Sequence, residues 1–128
     1  MSASTKGTGN DGTIMGVGVD ILERSRVAKI HDLPRVAEFV FSPTESEEFF
    51  AHPDPSLYFA SRFALKEAVI KAYPGKLHFL DFEIAKNGDK PVVRFLAKHR
   101  TPCELRISLS HSLEYVAGFA VAVYYKNV

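Results

Sequence analysis

The chain has the sequence SLYFASRFALKEAVIKAY at residues 56–73, and this stretch decides the fold. At about 100° per residue, its apolar side chains cover nearly the whole circumference of a helix, which is typical of a helix buried on most sides. Pro74 and Gly75 follow directly and predict that the helix ends at Tyr73. We therefore expect a long central helix against which the other elements pack.

Strand patterns lie on both sides of this helix. Residues 14–21 alternate in character, so Gly16, Gly18 and Asp20 share one face of a strand. Three short helices are predicted at 24–30, 35–41 and 43–50, and Ser42 caps the last of them. A hairpin is predicted from strands at 79–85 and 91–96, with its turn at Asn87 and Gly88. Two further strands are predicted at 105–110 and 116–125. The last strand is apolar enough to be central. This order predicts the α+β class, with the long helix packed on an antiparallel sheet.

Length and composition bound the function. The chain has 128 residues, 46% of them hydrophobic, which fits one folded domain. Its formal net charge is only +1, so the overall electrostatic potential gives no reason to expect general binding to nucleic acid or to a membrane surface. The longest apolar run, at 115–125, is shorter than the roughly 20 residues of a membrane-spanning helix. Residues 1–13 are rich in Ser, Thr and Gly and predict a flexible leader before a domain at 14–128. The single cysteine, Cys103, excludes an internal disulfide and favours an intracellular protein.

The long helix carries charged residues among its apolar ones, namely Arg62, Lys66, Glu67 and Lys71. Ionised side chains are rarely buried unless they are paired or bound to a ligand. Glu67 and Lys71 are four residues apart, which suits either an ion pair on a solvated stripe or a polar site beside small alanines. Arg62 and Lys66 point between bulky apolar groups, where they either extend to solvent or meet an anionic ligand.

A second signal is the stretch GVGVD at residues 16–20. It lacks the third glycine and the spacing of a dinucleotide-binding fingerprint. Two glycines beside an aspartate predict a face that a ligand approaches closely, and the Asp20 carboxylate is a hard oxygen donor suited to Mg²⁺. The alternative is a glycine-rich sheet edge in which Asp20 only caps the next helix.

A third signal is Ser110 followed by His111 at the end of a strand. Adjacent strand residues point to opposite faces, so the two side chains cannot easily form a nucleophile and its base. Contact with a phosphate or a nucleotide fits this pair better, and a histidine with an ordinary loop role is the alternative.

In their order and spacing, the segments GVGVDILERSR (16–26), RFALKEAVIKA (62–72) and ISLSH (107–111) resemble the holo-[acyl-carrier-protein] synthase family of 4′-phosphopantetheinyl transferases. The resemblance runs from about residue 15 to the end of the chain. It implies an enzyme that moves the 4′-phosphopantetheine arm of coenzyme A to a serine of apo acyl carrier protein and releases 3′,5′-ADP. The segment between Phe95 and Leu105 is shorter than in many bacterial members, which carry a helix there, and this leaves open a eukaryotic homologue, including a mitochondrial one, or a domain related to those fused to large fatty-acid synthases. The expected location is intracellular, in the cytoplasm or in mitochondria.

The resemblance also implies roles for individual residues. Asp20 and Glu67 match the Mg²⁺ ligands, and we expect Lys71 to bind phosphate, with the general base left open. The positions that match the coenzyme A pocket are Arg62, Lys66, Ser110 and His111, and those that match the surface docking the acidic helix of the carrier protein are Arg24, Arg26 and Lys29. Short members of the family form homotrimers, so Asp20 and His111 of different chains are expected to complete one site.

Two other functions stay open at this point. A coenzyme A-binding module without transferase activity would use the same pocket, although it would not need both acidic residues. A metal-dependent phosphodiesterase would use the same acidic pair to activate water and would have no need of a basic helix for docking.

Overall fold

The computed structural model of the protein describes residues 12–96 and 103–125. Along the chain the elements are β1 (Gly12–Glu23), α1 (Arg24–Ala28), α2 (Leu33–Ala37), α3 (Pro43–Ala51), α4 (Pro55–Ala72), a 3₁₀ turn (Phe79–Asp81), β2 (Phe82–Asn87), β3 (Lys90–Phe95), β4 (Cys103–His111) and β5 (Tyr115–Tyr125). The predicted α+β class is confirmed. Gly12 and Thr13 pair with β5 and so belong to the domain, whereas the rest of the expected leader lies outside the described residues.

The strands form two antiparallel sheets. The larger has the order β1-β5-β4, so the apolar β5 is central as its composition predicts, and the smaller is the β2-β3 hairpin. The hairpin turns at Gly88, whose φ of 66° lies in the left-handed region that glycine adopts without a steric penalty. The turn predicted from Asn87 and Gly88 is therefore confirmed.

Helix α4 packs its buried side chains between the two sheets. Ala64, Leu65, Ala68 and Val69 have no exposed surface, so the prediction of a helix buried on most sides is confirmed. The helix begins after Asp54, whose carboxylate accepts a hydrogen bond from the backbone N–H of Leu57 at 3.2 Å. No helix in the described part of the chain has the length and hydropathy needed to span a bilayer.

The glycines of β1 allow close packing of helix and strand. A Cβ on Gly16 would overlap the carbonyl oxygen of Ala72, and one on Gly18 would overlap that of Ala68. The inner face of β1 is therefore covered by the α4 backbone at both glycines. The expectation that these two glycines open a face to a ligand is wrong, because the helix occupies that space.

Three element boundaries differ from the prediction for local reasons. Helix α2 begins at Leu33 because Pro34 suits the first helical turn, and α1 ends at Ala28. The expected strand at 79–85 begins only at Phe82. The preceding residues form a 3₁₀ turn, in which the Asp81 carboxylate accepts a hydrogen bond from the backbone N–H of His78 at 2.8 Å.

The outer face of the larger sheet, on the side away from α4, is apolar and exposed. Val17, Val19 and Ile21 of β1 are 56%, 59% and 67% exposed, and Phe119 of β5, opposite Val19, is 42% exposed. An apolar surface shared by adjacent strands is uncommon on a soluble monomer and is typical of a surface that another protein covers.

Candidate functional site

An acidic pair lies where β1 meets the middle of α4. Asp20 lies on the inner face of β1, beyond the two glycines, and Glu67 is partly buried on α4. Burial and the neighbouring Asp20 carboxylate both raise the pKa of Glu67, and the Lys71 ammonium lowers it in part. Two carboxylates that disfavour each other's charge form a place where a cation is stabilising.

Lys71 lies beside this pair, one helical turn after Glu67. Its ammonium donates to the backbone carbonyl of Val19 at 2.9 Å and to Asp20 Oδ1 at 3.2 Å. Among the described residues, the ion pair of Lys71 is thus with the strand and not along the helix with Glu67. The Lys71 side chain is half exposed, so its remaining hydrogen-bonding capacity faces solvent.

The acidic pair fits a hard divalent cation in its donor chemistry. Carboxylate oxygens are the ligands that Mg²⁺ prefers, and this cation usually takes only one or two of them from a protein. Within the described ranges, no cluster of three or more His, Cys, Asp or Glu side chains is arranged to hold a metal. Glu67 also lines a groove of about 420 Å³ beside residues 77–80.

A larger cavity, of about 1030 Å³, lies between the first half of α4, the turn of the hairpin and the inner face of β4. Its lining includes the basic residues Arg62, Lys86 and Lys90 and the histidines His52 and His111, together with the acidic residues Glu48, Asp89 and Glu104. Sequence reasoning missed the hairpin lysines, although the dense charge of the turn at 86–90 was a signal. A cavity of this size and charge is suited to a phosphate-bearing ligand the size of a nucleotide.

Arg62 is the most constrained of these cations. Only 9% of its side chain is exposed, and its guanidinium lies over the ring of Tyr58 with its Cζ 4.8 Å from the ring centroid. The nearest carboxylate oxygen, Glu48 Oε1, is 3.8 Å from Nη2. Among the described residues, the buried Nε of Arg62 has no hydrogen-bond partner. A nearly buried guanidinium with an unsatisfied donor on a cavity wall is suited to binding an anion.

The structure does not bring Lys66 to this cavity, so its expected place in the coenzyme A pocket is corrected. Its ammonium is fully buried one helical turn after Arg62, 2.7 Å from Glu45 Oε1 and 2.6 Å from the carbonyl oxygen of Val40. Burial lowers the pKa of Lys66, and the Glu45 carboxylate raises it in part. This lysine is a structural element of the core.

Ser110 and His111 lie on opposite faces of β4, as the strand period predicts. His111 is on the inner face and lines the large cavity, whereas Ser110, paired with Ala117, is exposed on the outer face of the sheet. The side chain of Ser110 points away from the cavity of its own chain, and its expected contact with coenzyme A stays a prediction.

The basic residues of α1 divide into two groups. Arg24 is engaged by other residues of its own chain: Nη1 donates to the carbonyl oxygen of Ser112 at 2.9 Å, and Nη2 lies 3.3 Å from Asp54 Oδ2. Arg26 and Lys29 are exposed, and neither forms an ion pair with another residue in the described part of the chain. Only these two are available on this helix for an acidic partner.

The acidic pair and the large cavity are separate on a single chain. Asp20, Glu67 and Lys71 are absent from the described lining of the cavity that holds Arg62 and His111. One chain therefore presents two half-sites, one with a cation-binding character and the other with an anion-binding character.

Comparison with known proteins gives consistent matches over this same span. The profile of the 4′-phosphopantetheinyl transferase superfamily matches residues 16–123. A holo-[acyl-carrier-protein] synthase of Thermodesulfovibrio yellowstonii is 35% identical over 113 residues, which are 84% of this chain and 97% of that protein. The synthase of Pseudoalteromonas atlantica is 37% identical over 117 residues, covering 85% of this chain and 93% of its own.

Solved structures show the same fold. The holo-[acyl-carrier-protein] synthase of Plasmodium yoelii superposes with a TM-score of 0.77 at 29% identity, covering 91% of this chain and 99% of that one. The synthase of Bacillus anthracis, solved in complex with coenzyme A (3′,5′-ADP), gives a TM-score of 0.73 at 30% identity, with 87% and 97% covered.

Proposed function

The chain belongs to the holo-[acyl-carrier-protein] synthase family of 4′-phosphopantetheinyl transferases, and from this premise we propose its reaction. The enzyme transfers the 4′-phosphopantetheine arm of coenzyme A to a serine hydroxyl of apo acyl carrier protein and releases 3′,5′-ADP. The observation that carries the proposal is the nearly buried guanidinium of Arg62, whose Nε has no hydrogen-bond partner among the described residues, in the lining of a cavity of about 1030 Å³. The coenzyme A complex of the Bacillus anthracis relative supports the same ligand class.

Coenzyme A binds, in this proposal, with its phosphates toward the basic side chains of the cavity. Arg62 and His111 approach the cavity from α4 and β4, and the lysines at 86 and 90 approach it from the hairpin turn. Charge-assisted hydrogen bonds from a guanidinium to phosphate are among the stronger polar contacts in proteins. The nearly complete burial of Arg62 reduces the screening of its charge by water.

Asp20 and Glu67 are the proposed ligands of Mg²⁺. When bound there, this cation would neutralise charge on the diphosphate of coenzyme A and polarise the attacked phosphorus. The raised pKa of Glu67 supports the assignment, because the carboxylate lies in surroundings that disfavour its charge unless a cation is near. Lys71, held beside Asp20, is proposed to contact a phosphate oxygen.

The carrier protein is proposed to dock on α1 through Arg26 and Lys29. Both side chains are exposed, and an acidic partner helix would find positive charge there on a chain whose net charge is only +1. Arg24 supports this surface indirectly, since it links α1 to Ser112 and Asp54.

A homotrimer with sites between neighbouring chains is proposed to unite the two half-sites. The exposed apolar outer face of the larger sheet, formed by Val17, Val19, Ile21 and Phe119, supports an assembly of chains. In such an assembly, Asp20 of one chain and His111 of another would serve the same coenzyme A. The proposed location is intracellular, in the cytoplasm or in mitochondria.

The test is to incubate the protein with coenzyme A, Mg²⁺ and a purified apo acyl carrier protein, and to measure the intact mass of the carrier. We expect a gain of one phosphopantetheine group that is lost when EDTA is added, and no gain when the acceptor serine of the carrier is replaced by alanine. Tight coenzyme A binding without transfer to several carriers would favour a binding module instead.

A further inference from the structure

Tyr58 and Glu48 form a hydrogen-bonded pair directly beside Arg62. The Tyr58 hydroxyl donates to Glu48 Oε1 at 2.6 Å, and this same oxygen is the one that lies 3.8 Å from Arg62 Nη2. At 3.8 Å, Glu48 and Arg62 form an ion pair without a hydrogen bond, and the hydrogen bond of this carboxylate oxygen is with the tyrosine.

The Tyr58 hydroxyl is fixed in position by the packing of its ring. The ring is 6% exposed and makes an edge contact with Phe41, with centroids 5.6 Å apart, and a tilted contact with His52 at 5.5 Å. Glu48 is less constrained, because nearly half of its side chain is exposed. A rigid donor thus holds a carboxylate that could otherwise move.

Without that donor, Glu48 has an obvious alternative partner. Arg62 is nearly buried and has an unsatisfied Nε, and a guanidinium binds a carboxylate best through two parallel hydrogen bonds. A carboxylate seated on Arg62 in this way would occupy the donors that an incoming phosphate needs.

We propose that Tyr58 is a positioning residue that prevents the Glu48 carboxylate from hydrogen-bonding to Arg62, so that the donors of the guanidinium stay available to a phosphate of coenzyme A. The inference rests on the proposed function, because it takes coenzyme A as the ligand of the cavity. It assigns the tyrosine no contact with the reacting atoms and accounts for the acidic residue that lies beside Arg62.

The experiment measures coenzyme A binding by calorimetry for the native protein, Tyr58→Phe, Glu48→Gln and the double variant. Tyr58→Phe keeps the ring beneath Arg62 and should bind coenzyme A about fivefold more weakly, as expected for one competing ion pair. Glu48→Gln should bind at least as tightly as the native protein. The double variant should match Glu48→Gln, because no carboxylate is left to compete.

The double variant separates this role from a structural one. If the weaker binding of Tyr58→Phe persists when Glu48 is also replaced, the tyrosine acts through packing and the inference is overturned. It is equally overturned if Tyr58→Phe binds as the native protein does, or if Glu48→Gln alone weakens binding fivefold. In transfer assays, Tyr58→Phe should raise the KM for coenzyme A and leave kcat unchanged.

The same measurements keep the inference distinct from the proposed function. A native protein that binds coenzyme A without transferring it contradicts the proposed reaction, and the binding comparison still tests the role of Tyr58. A native protein that binds no coenzyme A overturns both.

Discussion

Lys66 and Glu45 form an ion pair in the interior of the protein, with Nζ 2.7 Å from Oε1 and at most 1% of either side chain exposed. The other oxygen of Glu45 accepts from the backbone N–H of Ile84 at 2.7 Å, and Lys66 also donates to the carbonyl oxygen of Val40. One pair thus links α3, α4 and the hairpin strand β2. Both charges are neutralised and hydrogen-bonded, which is the condition under which buried ions are tolerated.

Replacing Lys66 by methionine should destabilise the fold strongly. The variant leaves the Glu45 carboxylate buried without its counter-ion, which we expect to lower the free energy of unfolding by about 3–5 kcal/mol. Urea unfolding followed by circular dichroism measures this change. The matched control is Lys76→Met, on an exposed lysine after α4, which should stay within about 0.5 kcal/mol of the native protein. Equal stability of the two variants would contradict the structural role of Lys66.

Glu83 should make the stability depend on pH in the acid range. Burial alone would raise its pKa, but hydrogen bonds from Ser42 Oγ at 2.6 Å and from Arg94 lower the pKa below its ordinary value of 4.5. The folded state therefore binds the proton less readily than the unfolded state. The stabilisation is present above about pH 4.5 and is lost as the pH falls through the lowered pKa.

The variant Glu83→Gln tests this relationship. It should be about 2 kcal/mol less stable than the native protein at neutral pH, because the charged hydrogen bonds are lost, and the difference should shrink in acid. Thermal or urea unfolding across the acid range gives both curves, with the exposed Glu47→Gln as the control. A constant difference at every pH would mean that the Glu83 charge does not contribute.

Glu67→Gln should abolish transfer while leaving the fold intact, since the substitution is nearly isosteric. Removing a residue that only orients a metal ligand lowers activity by up to about 100-fold. Because Glu67 is a proposed direct ligand, we expect kcat/KM to fall by at least about 100-fold. Loss of Mg²⁺ binding in calorimetry is a readout that does not depend on turnover. Glu47→Gln again serves as the control, and full activity of Glu67→Gln would remove this residue from the metal site.

Val19→Asp should disrupt the proposed assembly. It places a charge at the centre of the exposed apolar outer face, opposite Phe119, where a partner chain would have to bury it. Sedimentation velocity should show a shift from trimer to monomer, with transfer activity lost as the two half-sites separate. The control is Phe50→Asp, which places the same charge on α3 at a phenylalanine that is 68% exposed. It should leave the sedimentation coefficient unchanged. A native protein that sediments as a monomer would refute the interfacial site.

Arg26→Glu should affect the carrier protein and not coenzyme A. Reversing an exposed charge on α1 should raise the KM for the carrier by roughly tenfold at low ionic strength, with less effect at high salt. The KM for coenzyme A should not change, because Arg26 is not among the described residues that line the large cavity. Lys76→Glu controls for the change in net charge.

The sequence alone predicts the fold well where the pattern is local and strong. The long apolar helix, the Asn87 and Gly88 turn and the central β5 all follow from periodicity and turn chemistry, and the structure has each of them. The strand period also places Ser110 and His111 on opposite faces correctly.

The candidate site is harder to predict from the sequence, because it depends on which residues, far apart along the chain, come into contact in the folded protein. The position of Lys66 in the sequence shows on which face of α4 its side chain lies, but it does not show that Glu45 is its partner. In the sequence, Glu45 has the position of an ordinary acidic residue in the first turn of α3. Likewise, only the packing of α4 decides that His111, and not Ser110, faces inward. The Tyr58 and Glu48 pair joins two helices and leaves no signal in either one alone.

The glycines of β1 set a dimension of the candidate metal site. Gly18 lies against the carbonyl oxygen of Ala68, the neighbour of Glu67, and Asp20 follows two residues later on the same face of the strand. The spacing between the two carboxylate-bearing backbones is therefore fixed by direct contact of main chain with main chain, with no intervening side chain whose rotamer could change it. The separation of the two backbones is thus set by van der Waals contact between main-chain atoms, and it should persist even when side chains of the surrounding core are repacked.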